Sequence, residues 1–139
     1  MWPDSVERIA EFLRASGTEG RLEEVLQGSE PPPGLGLSAH VFDCDGRAIV
    51  GLVPSARSLD RRKLARAAGC EALRPAASPQ GFPFQGALVL LDQSALGAET
   101  VWLELDVPRH FLGLAPAQLL RLTRSKTTDL LAVNHIGGG

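Results

Sequence analysis

The dipeptide Asp45-Gly46 constrains the fold of this chain more than any other feature. A two-residue type I′ hairpin needs positive φ at both central positions, which Gly adopts freely and Asp tolerates, and the runs on either side are apolar and β-prone. The turn sets a register in which Phe42 opposes Ile49, Val41 opposes Val50 and His40 opposes Gly51. Ser38 and His40 then share one face of the first strand, and the missing side chain of Gly51 leaves space beside the imidazole. Pro54 ends the second strand. Leu59-Asp60 opens a helix with Asp60 as N-cap and Gly69 as its left-handed stop. Leu64, Ala67 and Ala68 are expected to face the core, and Arg61, Arg62, Lys63 and Arg66 form a basic rim.

The remaining elements follow from periodicity and punctuation. Asp4 caps a first helix, with Glu7 three positions on and a buried stripe of Val6, Ile9, Phe12 and Leu13 that runs to Gly17. The segment 21–26 reads equally as helix or strand. Pro31-Pro32-Pro33-Gly34 is a stiff turn into the hairpin, too short for a domain linker. Segments 87–91 and 101–105 are apolar and β-rich, and Trp102 is expected in the core. Pro116 starts a helix that runs to about Leu122, and 129–133 is expected to close the sheet. The fold class is α+β: one domain over 1–133, a mixed and largely antiparallel sheet flanked by helices, with 134–139 as a flexible tail.

Charge narrows the function classes. The net charge of −2 does not describe a general electrostatic nucleic-acid binder, and an aromatic share of 5% without Tyr argues against a row of stacking rings for single strands. The charge is nonetheless segregated. Segments 1–30 and 76–108 each carry a net −4, whereas 54–75 and 109–126 each carry +4. If the two basic segments meet, Arg57, Arg61, Arg62, Lys63, Arg66, Arg109, Arg121, Arg124 and Lys126 make one phosphate-binding patch.

Cys44 and Cys70 have no Cys-x-x-Cys or His-rich ligand spacing, so no metal site is expected, and both are read as small, reduced, buried residues. No cofactor motif appears: P-loop, Gly-x-Ser-x-Gly and His-Glu-x-x-His patterns are absent, and Gly34-Leu35-Gly36 lacks the rest of a dinucleotide fingerprint. No leader and no spanning apolar run are read, so the expected location is the cytoplasm, with no membrane or DNA partner.

Several pieces in order resemble the YbaK/aminoacyl-tRNA synthetase-associated domain, the family of deacylases related to the editing domain of prolyl-tRNA synthetase. They are Val41-Phe42, the strand from Ile49 to Val53, Arg57-Ser58-Leu59-Asp60-Arg61-Arg62-Lys63-Leu64-Ala65, and Gly81-Phe82-Pro83-Phe84-Gln85-Gly86. Leu90-Leu91-Asp92, Pro108-Arg109-His110 and Leu114-Ala115-Pro116-Ala117-Gln118-Leu119 complete the likeness, which spans roughly 35–132. It implies a trans-editing hydrolase that cleaves the ester of mischarged tRNA. The partners it implies are the tRNA acceptor end and a synthetase.

The resemblance also implies a site. Gly81 and Gly86 would offer backbone N–H groups to the developing oxyanion; Phe82, Pro83, Phe84, Asp106, Arg109 and His110 would hold the substrate; Arg57, Arg61, Arg62, Lys63 and Arg66 would hold RNA. The chain departs from the family where the catalytic-site lysine is expected, because Ser38 stands there. His40 on the same face is the candidate replacement. The alternative reading is a catalytically inert YbaK-like module that binds tRNA, a nucleotide or a synthetase.

Overall fold

The computed structural model describes residues 2–30, 32–76 and 81–133; the expected tail at 134–139 and Pro31 of the proline turn lie outside them. Helix α1 (Asp4–Ala15) is followed by strand β1 (Arg21–Glu24), the long hairpin β2 (Leu35–Cys44) and β3 (Arg47–Pro54), and helix α2 (Arg61–Ala68). Then come β4 (Arg74–Pro75), β5 (Leu88–Asp92), a 3-10 turn (Gln93–Gly97), β6 (Val101–Glu104), β7 (His110–Leu114), α3 (Pro116–Thr123) and β8 (Lys126–Thr128).

The strands form one sheet in the order β1-β7-β6-β2-β3-β5-β8, with β4 pairing a second stretch of β2. The sheet is mixed, as the α+β reading expects. Pairs β1–β7, β7–β6, β2–β3 and β2–β4 are antiparallel, whereas β2–β6, β3–β5 and β5–β8 are parallel.

The hairpin register is the expected one: His40 pairs with Gly51, Val41 with Val50 and Phe42 with Ile49, and Asp45 and Gly46 both have positive φ. Helix α2 has the expected ends. The Asp60 carboxylate accepts the N–H groups of Arg62 and Lys63, and Gly69 takes the left-handed conformation.

Strand alternation divides the core in two. On one face Val50, Leu52, Val89, Leu91, Leu103 and Leu112 pack with Leu13 of α1 and Leu119 of α3. On the other, Ile49, Val53 and Leu90 pack with Leu64 of α2 and Leu130. Full burial of each such side chain contributes about 1.5–3 kcal/mol, so the sheet is held from both faces. Trp102 is buried as expected; its indole N–H donates to the carbonyl of Pro33 at 2.8 Å, and its ring lies across Gly113, where any Cβ would collide with it at 2.7 Å.

Several expectations are corrected. Pro3 rather than Asp4 occupies the N-cap of α1, and Asp4 is its first helical residue, which places its charge at the helix dipole. The ambiguous segment at 21–26 resolves as strand, because β7 offers it an edge. Ala67 is exposed, since an eight-residue helix turns only Leu64 fully inward. The sheet closes with β8 at Lys126–Thr128 rather than with 129–133, where only Leu131 bridges to Leu59. The side chain of Asp92 secures this end: buried beneath the strand, it accepts the N–H of Leu130 at 2.8 Å and both the N–H and hydroxyl of Ser94.

The cysteines are not free thiols. Pairing of β4 with the end of β2 brings the stop of α2 beside the hairpin tip, and Cys44 and Cys70 are joined with their Cα atoms 6.2 Å apart. The bridge closes a loop of 26 residues, for which chain-entropy reasoning gives about 3.5 kcal/mol of stabilisation. Cys44→Ser or excess reductant is therefore expected to lower the unfolding free energy by roughly that amount in urea titrations; equal stability of oxidised and reduced protein would contradict the assignment.

Candidate functional site

The site is built where the sheet parts. Strands β2 and β6 pair in parallel over only three positions, Leu35 with Val101, Gly36 with Trp102 and Leu37 with Leu103. Beyond them β6 turns into its hairpin with β7, where the N–H of Leu105 donates to His110 O at 2.8 Å and that of His110 to Val107 O at 3.2 Å. The same edge of β2 is next covered by β4, at Phe42 and Asp43. From Ser38 to Val41 it pairs with no strand among the described residues.

A cleft of about 760 Å³ borders this stretch. Its walls are β2 (Gly36–Ala39 and Val41), the end of β6 through Asp106, the face of α1 that carries Ser5, Arg8, Ile9 and Phe12, and the loop 81–85. Residues from both faces of β2 contribute to its lining. The volume falls in the range of small-molecule sites, roughly 300–1,000 Å³.

The loop makes an aromatic floor. Phe82 and Phe84 are buried, and Phe82 meets Phe12 of α1 and Phe84 edge-on, with ring centroids 6.0 and 6.3 Å away. These two residues thus serve the core as well as the cleft. The N–H groups of Phe84 and Ala87 close turns onto Gly81 O and Phe84 O. Those of Gln85 and Gly86 have no protein acceptor among the described residues. Gly81 and Asp106 approach closely: a Cβ on Gly81 would lie 2.7 Å from both carboxylate oxygens of Asp106.

Ser38 lies in the wall with its hydroxyl 3.1 Å from that of Ser55, which the backbone bond from Ser55 N to Gly36 O brings alongside. Of the residues proposed from the sequence, the cleft brings together Ser38, Gly81, Phe82, Pro83, Phe84 and Asp106. His40, Gly86, Arg109 and His110 are not among its lining residues.

The reasons are local. His40 lies one pleat beyond Ser38 and faces the α2 side, where the space over Gly51 is filled: a Cβ on Gly51 would meet Leu59 and Leu64 at 3.3 Å. The gap beside the imidazole expected from the sequence therefore belongs to helix packing. His110 is buried under the chain start, edge-on to Trp2 at 5.7 Å, with Nε2 3.4 Å from Glu24 and Nδ1 3.0 Å from Pro108 O. Arg109 adopts positive φ in the β6–β7 turn, and its N–H donates to the Glu104 carboxylate at 3.1 Å.

The basic residues divide as well. Arg61 stacks over Phe42 and donates to Leu73 O, and Lys63 donates to Leu131 O and pairs with Asp129, each at 2.7 Å. The Lys63 ammonium, followed by the Leu131 N–H, holds the Asp129 carboxyl below the usual carboxylate range. Arg57, Arg62 and Arg66 are exposed. The single patch envisaged from both basic segments does not assemble, because α2 and α3 pack on opposite faces of the sheet and Arg121 is bound to Thr18 at 2.6 Å.

Arg8, Ser55 and Glu104 line the cleft and were not legible as site residues. Ser5, Arg8, Ile9 and Phe12 do recur at the helical period, so the face was readable, but not what it faces.

The fold has known counterparts. A scaffold used for computational epitope backbone grafting superposes with a TM-score of 0.80 at 23% identity, covering 96% of this chain and 100% of its own. A crystal structure described as "a putative trans-editing enzyme for prolyl tRNA synthetase" gives 0.79 at 23% identity with the same coverage of both chains. The chain has a YbaK-like fold. A further structure, described only as a hypothetical protein, gives 0.71 at 14% identity over 90% of this chain and 99% of its own. No protein-family model matches the sequence, and no curated protein does. At these identities the YbaK-like likeness concerns the fold alone. Among the described residues no helix is long and apolar enough to cross a membrane, and no group of His, Cys, Asp and Glu is arranged to hold a metal ion.

Proposed function

We propose that the chain is an aminoacyl-tRNA deacylase, hydrolysing in trans the ester between a wrong amino acid and the terminal adenosine of a tRNA. The observation that carries this reading is the cleft at the parting of β2 and β6, which combines hydroxyls, an aromatic floor, the Gln85 loop amide and a carboxylate. The YbaK-like fold supports it. An aminoacyl ester is activated already, so catalysis requires mainly a positioned water and donors for the developing oxyanion.

In this scheme the ester lies beside Ser38 and Ala39 of β2. The Gln85 amide and one hydroxyl of the Ser38–Ser55 pair face its carbonyl oxygen, and Asp106 takes the α-ammonium. Water attacks the carbonyl carbon, the bond to the ribose oxygen breaks, and the proton lost by the water passes to that oxygen by way of the adjacent ribose hydroxyl. Phe82, Pro83 and Phe84 limit the size of the side chain admitted. The Ser38–Ser55 pair takes the position that the family gives to lysine. His40, facing α2, supports the strand rather than the reaction.

A panel of mischarged tRNAs tests the reading. Ser38→Ala is expected to slow deacylation about tenfold, the worth of one hydrogen bond to developing charge, while His40→Ala changes the rate less than about twofold. Ser38→Lys is expected to raise it. If folded wild type and Ser38→Lys both leave every aminoacyl ester intact, the enzyme reading falls and the inert binding module, for tRNA, a nucleotide or a synthetase, replaces it.

Arg57, two residues beyond Ser55, with Arg62 and Arg66 supplies an exposed cationic track for the acceptor stem. Replacing Arg62 and Arg66 together by Glu is expected to weaken tRNA binding and flatten its logarithmic salt dependence by about two units, one per lost phosphate contact. Binding that is unchanged at low salt would show the track to be solvated surface only.

A further inference from the structure

The charges in the cleft are separated. Among its lining residues the carboxylates, Glu104 and Asp106, both stand at the end of β6, and the sole Lys or Arg is Arg8, carried by α1. Three other arginines, Arg21, Arg61 and Arg121, donate hydrogen bonds to protein acceptors. Among the described residues the Arg8 guanidinium takes part in no side-chain hydrogen bond or ion pair.

Its place on the helix is fixed by neighbours that cannot move freely. Ile9 and Phe12 pack against the larger core cluster, and Phe12 meets Phe82 of the loop, so the face carrying Ser5 and Arg8 is held over the cleft. Ser5, one turn before Arg8, adds a hydroxyl donor to the same wall.

A cleft with a cation on one wall and carboxylates on the other selects a ligand that is itself dipolar. An anion beside Glu104 and Asp106 would be repelled, and an ammonium beside Arg8 likewise. An aminoacyl nucleotide carries both groups, an α-ammonium on the amino acid and a phosphate on the 5′ side of the ribose. We propose that Arg8, with Ser5, is the phosphate anchor of this cleft: it binds the 5′-phosphate of the terminal nucleotide and so fixes which way round the ester lies. The planar guanidinium suits a phosphate better than an ammonium does, since it donates two parallel hydrogen bonds.

This inference rests on the deacylase reading, and the experiment separates the two. The probes are non-hydrolysable aminoacyl-adenosine amides with and without a 5′-phosphate, titrated calorimetrically into the wild-type protein, Arg8→Ala and Arg8→Lys. The wild type is expected to bind the phosphorylated probe roughly tenfold more tightly, as a charge-assisted hydrogen bond to an exposed site warrants. Arg8→Ala is expected to lose that preference while retaining its affinity for the unphosphorylated probe, and Arg8→Lys to keep only part of it. Equal affinity of the wild type for the two probes, or a preference that survives in Arg8→Ala, overturns the assignment of Arg8 and leaves the deacylase reading standing. Failure of the wild type to bind either probe overturns both.

Discussion

Strand β2 is shared by three partners, and the places where those partnerships end determine the rest of the structure. On one side it pairs with β3 along its length, from Leu37 to Cys44. On the other it pairs with β6 for three residues and with β4 for two, and the four between have no strand partner among the described residues. Buried backbone groups are nearly always hydrogen-bonded, so a strand edge left open inside a protein is unusual unless something else satisfies it. Here the stretch Ser38–Val41 borders a cleft that water or a ligand can enter, and residues 81–85 form the cleft's floor.

The core on each face keeps that cleft from closing. Leu37 and Leu103 lie in the larger cluster with Leu13 and Phe82, which fixes both strands at the point where they diverge. On the other face Leu59 and Leu64 press on Gly51 and hold the hairpin against α2. The disulfide ties the hairpin tip to the end of the same helix. Stability and site are therefore separate in space. Lys63 and Arg61 belong to the first, binding the C-terminal segment and the turn after α2, although by composition they look like surface charges for RNA.

Much of the fold was legible because local signals were strict. Asp45-Gly46 allows no slack, and with it came the whole β2–β3 register; Asp60 and Gly69 bounded α2 by capping chemistry alone. What was not legible depends on contacts distant in sequence. Three-residue and two-residue pairings such as β2–β6 and β2–β4 have no periodicity to read, and the Cys44–Cys70 bridge follows from the second of them. The site divides along the same line. The loop 81–85, Ser38 and Asp106, expected from the sequence to share a cavity, do line one cleft, whereas Arg8 and Ser55 enter it through the packing of α1 and the end of β3. His40 and Ser38 share a face, as strand alternation requires, yet one lies at the opening and the other beyond it, a difference set by where β6 departs.

The central claim is that ligand binds in the cleft beside Ser38 of β2 rather than over His40. Amide chemical shifts of the labelled protein, recorded while a non-hydrolysable aminoacyl-adenosine is added, test it most directly. The account expects saturable changes confined to Gly36–Ala39, the 81–86 loop, Glu104–Asp106 and the Ser5–Phe12 face of α1, with His40 and α2 little moved. Changes centred on α2 and His40, or none at millimolar ligand, would contradict it.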